Sequence, residues 1–238
     1  MVSIAGSKKL KRQMAPQFWG ITRKDKRFVI TTKPGPHKKN FAIPTAVFLR
    51  DTLKIVTSLR EAKASIYSGK VKIDGVVRKS LHHAIGLMDV VELENVSDVY
   101  RLVPTEGKIL KPIKINEAEK SKKLVRVVTK TSINKETTQT GFHDGRSTLA
   151  EVKAKVGDTC VMQIPDQKIL EIIKLEAGCQ GLVTRGINAG QIGKVDSVEE
   201  GTFILPKRVI LILGDKKIEI PADIIMPIGK EEPVIQLK

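Results

Sequence analysis

Apolar positions recur at helical spacing in residues 45–67 and at strand spacing over much of residues 70–220. Val47, Phe48 and Val56 fall on one stripe, which Leu49 and Leu53 widen. Thr45 can cap a helix running to about Val56, with Arg50 and Lys54, four apart, on its polar face. Ser58-Leu59-Arg60-Glu61 reads as a capping box, so a second helix starts there. It runs to about Tyr67 and stops at Gly69. Residues 70–73 then read as a strand, Asp74-Gly75 as a hairpin turn and residues 76–78 as the return strand. Residues 89–94 supply a third strand. Residues 43–95 therefore predict a small module of two helices plus a hairpin, about 50 residues long and still able to fold.

Residues 96–177 carry shorter signals. Residues 124–129, 160–163 and 169–175 are strand-like, as are the positions around Val152 and Val156, with turns at Gly157-Asp158 and Pro165-Asp166. Residues 130–145 are polar and turn-rich. The stretch is expected to be a mainly-β domain. Residues 178–238 hold five strand-like runs, 182–184, 192–198, 202–205, 208–213 and 217–220, with a turn at Gly214-Asp215. Five short strands in so few residues predict a small closed barrel of SH3 type. Residues 1–42 differ from all of these. KPGPHKK at 33–39 excludes helix interior and central strand, because two prolines fix the backbone and remove donors. An extended arm with local turns is expected there, tacked to a neighbouring domain by Phe18, Trp19 and Phe28. Trp19 reads as a packing anchor. The fold class is thus α+β and multidomain.

Charge gives the arm its meaning. The chain has 42 Lys and Arg against 26 Asp and Glu, a net charge of +16. Residues 1–45 hold eleven of the bases against one acid, Asp25; residues 46–93 hold eight against five, and residues 94–238 hold 23 against 20. Such a block marks an interaction arm, and a polyanion, nucleic acid first, is its natural partner. Little else suggests chemistry. Cys160 and Cys179 have no metal or redox spacing and read as small core residues. His37, His82, His83 and His143 show no ligand spacing, and adjacent His82 and His83 on a strand point to opposite faces. His143-Asp144-Gly145 reads as a polar turn that leaves Arg146 free to reach a phosphate. No catalytic residues, no metal, no cofactor and no small-molecule substrate are expected. No apolar run approaches the ~18 residues that span a membrane. The start, MVSIAGSKKLKR, lacks the apolar core of a secretory signal, so a cytoplasmic protein is expected.

GINAGQIGK at 186–194 resembles a phosphate cradle. A P-loop needs glycine at 188 and a hydroxyl after the lysine, but the residues are Asn188 and Val195. The dinucleotide pattern also needs glycine at 188, and no helix comes after it whose N-terminus could bind phosphate. What remains is a strand, a glycine-rich turn and a strand, flanked by Arg185 and Lys194.

LEAGCQGLVTRGINAGQIGKVDSVEEG resembles a KOW motif, found in ribosomal proteins and transcription elongation factors. EAKASIYSGKVKIDG resembles the S-four RNA-binding domain. LKRQMAP, Trp19, PGPHKKNFAIPTAVFLRD, HDGR at 143–146 and KVGDT at 155–159 resemble the archaeal and eukaryotic ribosomal protein family S-four-e, in the same order along nearly the whole chain. His83-Ala84 departs from the family's aromatic-proline pair, and the chain stops at Lys238 without the longer basic end of eukaryotic members, which fits the archaeal type. The resemblance implies a structural constituent of the small ribosomal subunit, with rRNA and neighbouring ribosomal proteins as partners and no homo-oligomer. An S-four-bearing pseudouridine synthase is the enzyme alternative, but the Arg-Leu-Asp stretch such enzymes share is missing. A free KOW-containing factor is a further alternative, but the upstream polymerase-binding domain is replaced by a basic arm. The expected RNA contacts in the arm are Lys8, Lys9, Lys11, Arg12, Arg23, Lys24, Arg27, His37, Lys38 and Lys39. In the helical module they are Arg50, Lys54, Arg60, Lys63, Lys72, Arg78 and Lys79, and beyond it Arg146, Arg185, Asn188 and Lys194.

Overall fold

The computed structural model describes residues 9–94, 96–106, 108–133, 137–150, 152–214 and 216–237. Lys8 lies outside them. In the arm, β1 (Leu10–Lys11) pairs with β2 (Phe28–Val29). Between them a short turn, Gln17–Trp19, buries Phe18 and Trp19. The indole Nε1 of Trp19 donates to the carbonyl of Ala42 at 2.8 Å, which satisfies the polar end of a fully buried ring. Leu10, Ala15, Phe18 and Trp19 share one core with Ile43, Val47, Phe48, Ala62 and Ile66. Among the described residues, the arm's buried apolar side chains complete the core of the next module.

That module begins with β3 (Ile43–Pro44) and one helical turn, α1 (Thr45–Val47). The expected helix to Val56 does not form. Over Phe48–Thr52 the turn widens, and Leu53 N–H donates to the Phe48 carbonyl five residues back, at 2.9 Å. Thr45, Val47, Thr52, Ile55 and Val56 are β-branched and hold a helix weakly. Thr45 does not cap; its hydroxyl donates to the carbonyl of His83 at 3.1 Å. The second helix, α2 (Leu59–Tyr67), starts at the predicted Ser58-Glu61 capping box, with both reciprocal bonds present. Ala62 and Ile66 face the core.

The first sheet then forms from β4 (Val71–Ile73), β5 (Val76–Val77), β7 (Val90–Leu93), β8 (Val99–Thr105) and β9 (Lys108–Ile115), in the order β5-β4-β7-β8-β9. Asp74 and Gly75 both take positive φ between β4 and β5, the geometry that a two-residue hairpin turn requires. The short β6 (Ala84–Ile85) pairs with β3. Strands β8 and β9 cross the expected boundary at 95/96 and join the helical module's sheet.

The second sheet holds β10 (Lys122–Ser132), β11 (Thr138–Phe142), β12 (Ser147–Thr148), β13 (Thr159–Gln163) and β14 (Lys168–Ile173), in the order β12-β11-β10-β13-β14. The third holds β15 (Gln180–Val183), β16 (Ile192–Glu199), β17 (Arg208–Leu213), β18 (Lys216–Pro221) and β19 (Ile225–Gly229), in the order β18-β17-β16-β15-β19. Two expectations fail in this last unit. The sheet is open: β18 and β19 are its two edges and are not hydrogen-bonded to each other. Residues 202–205 are a turn, with Phe203 and Ile204 in solvent. Their place is taken by β19, an apolar run buried throughout. The fold is accordingly mostly β, with few helices. The three sheets meet in one apolar junction, where Val103, Leu124, Val161, Leu182, Met226 and Ile228 pack together.

Candidate nucleic-acid interface

The arm presents most of the predicted cations to solvent. Lys9, Lys11, Arg23, Lys24, Arg27, Lys38 and Lys39 are exposed. Lys9 and Arg27 both lie over the Phe28 ring, 5.7 and 5.4 Å from its centre, so an aromatic plane holds two cations beside the β1–β2 pair. Arg23 donates to the carbonyl of Gln13 at 3.2 Å. Arg12 behaves differently. It is buried, donates to Thr22 and lies 3.8 Å from Asp25. Its guanidinium braces the arm and does not face outward.

In the helical module, Arg60 and Lys63 occupy the outer face of α2, and Lys63 sits 5.6 Å from the ring centre of Tyr67 one turn on. Lys72 points outward from β4 between buried Val71 and Ile73, as strand alternation dictates. Lys54 and Lys79 are exposed, and Arg78 is half-buried. Arg50 is engaged with the neighbouring Asp51 at 2.7 Å.

The glycine-rich loop is a packing device as well as a surface. Gly190 takes positive φ, and a Cβ there would stand 2.7 Å from the Pro104 carbonyl and from Thr105 Cα on β8. No other residue permits so close an approach. Gln191 adds a bond to Glu106 at 2.9 Å. Arg185 stacks over Phe41 at 4.6 Å. Asn188 is half-buried in the loop, and Lys194 is exposed on β16.

Two predicted contacts are drawn inside. Lys123 on β10 is buried, and its Nζ meets Asp74 at 2.7 Å, Asp89 at 2.5 Å and Asp144 at 3.1 Å. Arg146 joins through Asp74 at 2.7 Å, and His37 Nε2 donates to Asp89 at 3.0 Å. His37 and Arg146 are therefore parts of an ionic junction between the arm, the first sheet and the second sheet. Arg146 is not free to reach a phosphate, as the turn reading expected. Burial alone would lower the basicity of Lys123, but Asp89, Asp74 and Asp144 outweigh it and hold the ammonium charged. Burial would likewise raise Asp89, but His37 and Lys123 keep it well below the usual carboxylate range. His143 is pushed down to about 4, chiefly by burial; its Nδ1 accepts from the Arg126 N–H at 3.0 Å. Residue order alone carries no signal for Lys123, which sits beside exposed Lys122 in the same strand.

Both cysteines are buried, unbridged and pushed up by burial, Cys160 to about 11. Among the described residues no group of three His, Cys, Asp or Glu could hold a metal ion, and no helix is long and apolar enough to cross a membrane.

A family model described as Ribosomal family S4e matches residues 96–169, and one described as the RS4NT (NUC023) domain matches residues 5–40. The small ribosomal subunit protein eS4 of Staphylothermus marinus is 37% identical over 100% of this chain and 98% of its own length. That of Methanothermobacter thermautotrophicus is also 37% identical, with the same coverage. The crystal structure of the 30S ribosomal protein S4e from Thermoplasma acidophilum superposes with a TM-score of 0.69 at 30% identity, over 81% of this chain and 97% of that one. With these relatives at 37% identity over its full length, this chain belongs to the small ribosomal subunit protein eS4 family.

Proposed function

We infer that this chain is a structural constituent of the small ribosomal subunit that binds and stabilises folded rRNA. Its full-length relationship to eS4 proteins carries the reading. The arm's exposed Lys9, Lys11, Arg23, Lys24, Arg27, Lys38 and Lys39 support it, because none is ion-paired among the described residues. Unmatched surface cations neutralise phosphates and release their counterions. Arg60, Lys63, Lys72, Lys79 and Lys194 are exposed as well and add to the basic surface available to phosphate. Recognition of this kind reads RNA shape, phosphates and 2′-hydroxyls more than base sequence. Arg12, His37 and Arg146 hold the protein together and are left out of the contact set. The apolar Phe203 and Ile204, in solvent on the turn between β16 and β17, suit contact with a neighbouring ribosomal protein.

Sedimentation of a lysate through high salt tests the reading. The chain should travel with small subunits, and a pool that stays wholly in the soluble fraction at moderate salt would refute it.

A further inference from the structure

The basic surface does not explain one large cleft. It has a volume of about 1030 Å³ and opens where residues 32–41 of the arm face the second and third sheets. That is the upper end of the range for ligand sites, roughly 300–1,000 Å³. Its lining is mainly apolar, with Leu110, Phe142 and Met226 buried, and Thr32, His37 and Thr184 as buried polar members. Its rim is cationic. Lys33, Lys38, Lys39 and Arg185 stand around it, and none is ion-paired among the described residues. The acid on the rim, Asp223, lies 3.7 Å from Arg126, whose guanidinium also donates to the carbonyls of Asp223 and Ala222. Arg126 therefore walls the cleft and leaves the positive potential of the other four uncompensated.

We propose that this cleft receives an unstacked nucleotide of the bound RNA, its base on the apolar lining and its phosphates on the lysines of the arm. The proposal rests on the rRNA-binding reading and gives it a specific site. Three features fit a nucleotide. An apolar recess beneath a cationic rim matches a flat base joined to phosphate. The guanidinium carbon of Arg185 lies over the Phe41 ring, 4.6 Å from its centre, and both residues line the cleft; unpaired bases stack on both aromatic and guanidinium planes. Lys38 and Lys39 also belong to the arm's exposed face, so the cleft continues the RNA surface inward. An acidic peptide would answer the rim charges but would need an aromatic side chain of its own for the stack and the apolar lining, whereas every nucleotide carries both the plane and the phosphate.

The test uses the full chain and RNA hairpins carrying a single bulged A, C, G or U, beside the same hairpin fully paired. Wild type should bind at least one bulged hairpin about tenfold more tightly than the paired one, the worth of one stacked base. Val128→Glu puts a carboxylate into the cleft from an exposed strand position, with no ring for a base to stack on. It should abolish the preference and weaken paired-hairpin binding by no more than about threefold. Arg185→Ala should also abolish the preference, by removing the guanidinium plane, which guards against a folding defect in the first variant. Equal binding of paired and bulged hairpins by wild type would overturn the nucleotide site, leave the cleft to a protein segment, and leave RNA binding standing. A preference that survives both variants would also overturn it. Failure to bind any hairpin would remove the RNA reading itself, and this proposal with it.

Discussion

The arm and the Lys123 junction are both crowded with charge, and they dispose of it in opposite ways. Lys9, Lys11, Lys24 and Arg27 face water without a carboxylate among the described residues. Lys123 has no exposed surface and three carboxylates within 3.1 Å. In the arm, the countercharge has to come from outside the chain, which is what a polyanion supplies. At the junction it comes from two other segments of the same chain, so the charge fixes how those segments meet. A basic residue offers RNA an uncompensated charge only where the tertiary structure leaves it unmatched. Among the described residues Arg12, His37 and Arg146 are matched, although Lys11 and Lys38, beside the first two, are not.

The largest effect should separate the two regions by one and the same substitution. Lys123→Met strands Asp74, Asp89 and Asp144 in a buried site with only Arg146 and His37 to balance them. It should destabilise by about 3–5 kcal/mol and lower the melting temperature by about 10 °C. Lys9→Met should change stability by less than about 0.5 kcal/mol. Equal melting temperatures for the two variants would erase the contrast.

Acid should act on the junction next. The His143 ring, pushed down to about 4 by burial, refuses a proton that the unfolded chain takes up at about 6.5. The unfolded state thus binds more protons between those values, and stability falls as pH drops through them. The loss should reach about 3 kcal/mol at most. Asp89 and Asp144, both held below the carboxylate range, add a further loss only at lower pH. Urea unfolding at pH 7, 5.5 and 4.5 measures the slope, and a stability that rises on acidification would contradict the assignment.

The arm supplies the smallest effect on folding and a selective one on binding. Replacing Lys9, Lys11, Lys24 and Arg27 together by Gln should weaken rRNA binding by about ten- to a hundredfold at low salt. The slope of log affinity against log salt should fall by about 3. Thermal melting should stay within about 2 °C of wild type. Removing residues 1–42 instead would take Trp19 and Phe18 out of the shared core and confuse the two regions. An unchanged salt slope would take the arm out of the interface.

Much of the local architecture was legible because its causes are local. Ser58 and Glu61 start α2 by bonding each other's backbone, and Asp74-Gly75 turns a hairpin through its own dihedral preferences. The helix after Thr45 had the right apolar stripe but the wrong residues to hold it, and the turn widened. Residues 202–205 and 225–229 were exchanged for a different reason. Both are apolar runs, and composition cannot say which one finds a partner strand. Pro227 lies within β19, an edge strand, where a missing donor is tolerated. Strands β8 and β9 escaped notice because Arg101 and Pro104 interrupt the apolar run of the first, and lysines that of the second.

By itself the sequence determined the positive arm, the capped helix and hairpin, the short strands and the absence of a phosphate-loop pattern, together with the family those features share. All of these depend on residue type and near neighbours. Only the tertiary structure decided which cations remain unmatched, because burial and ion pairing join residues as far apart as His37, Asp89 and Lys123. It also decided that Gly190 serves close packing against β8, and that the arm, the second sheet and the third sheet enclose a cleft. Such features come from surfaces meeting at a distance, and no stretch of sequence contains both sides of the contact.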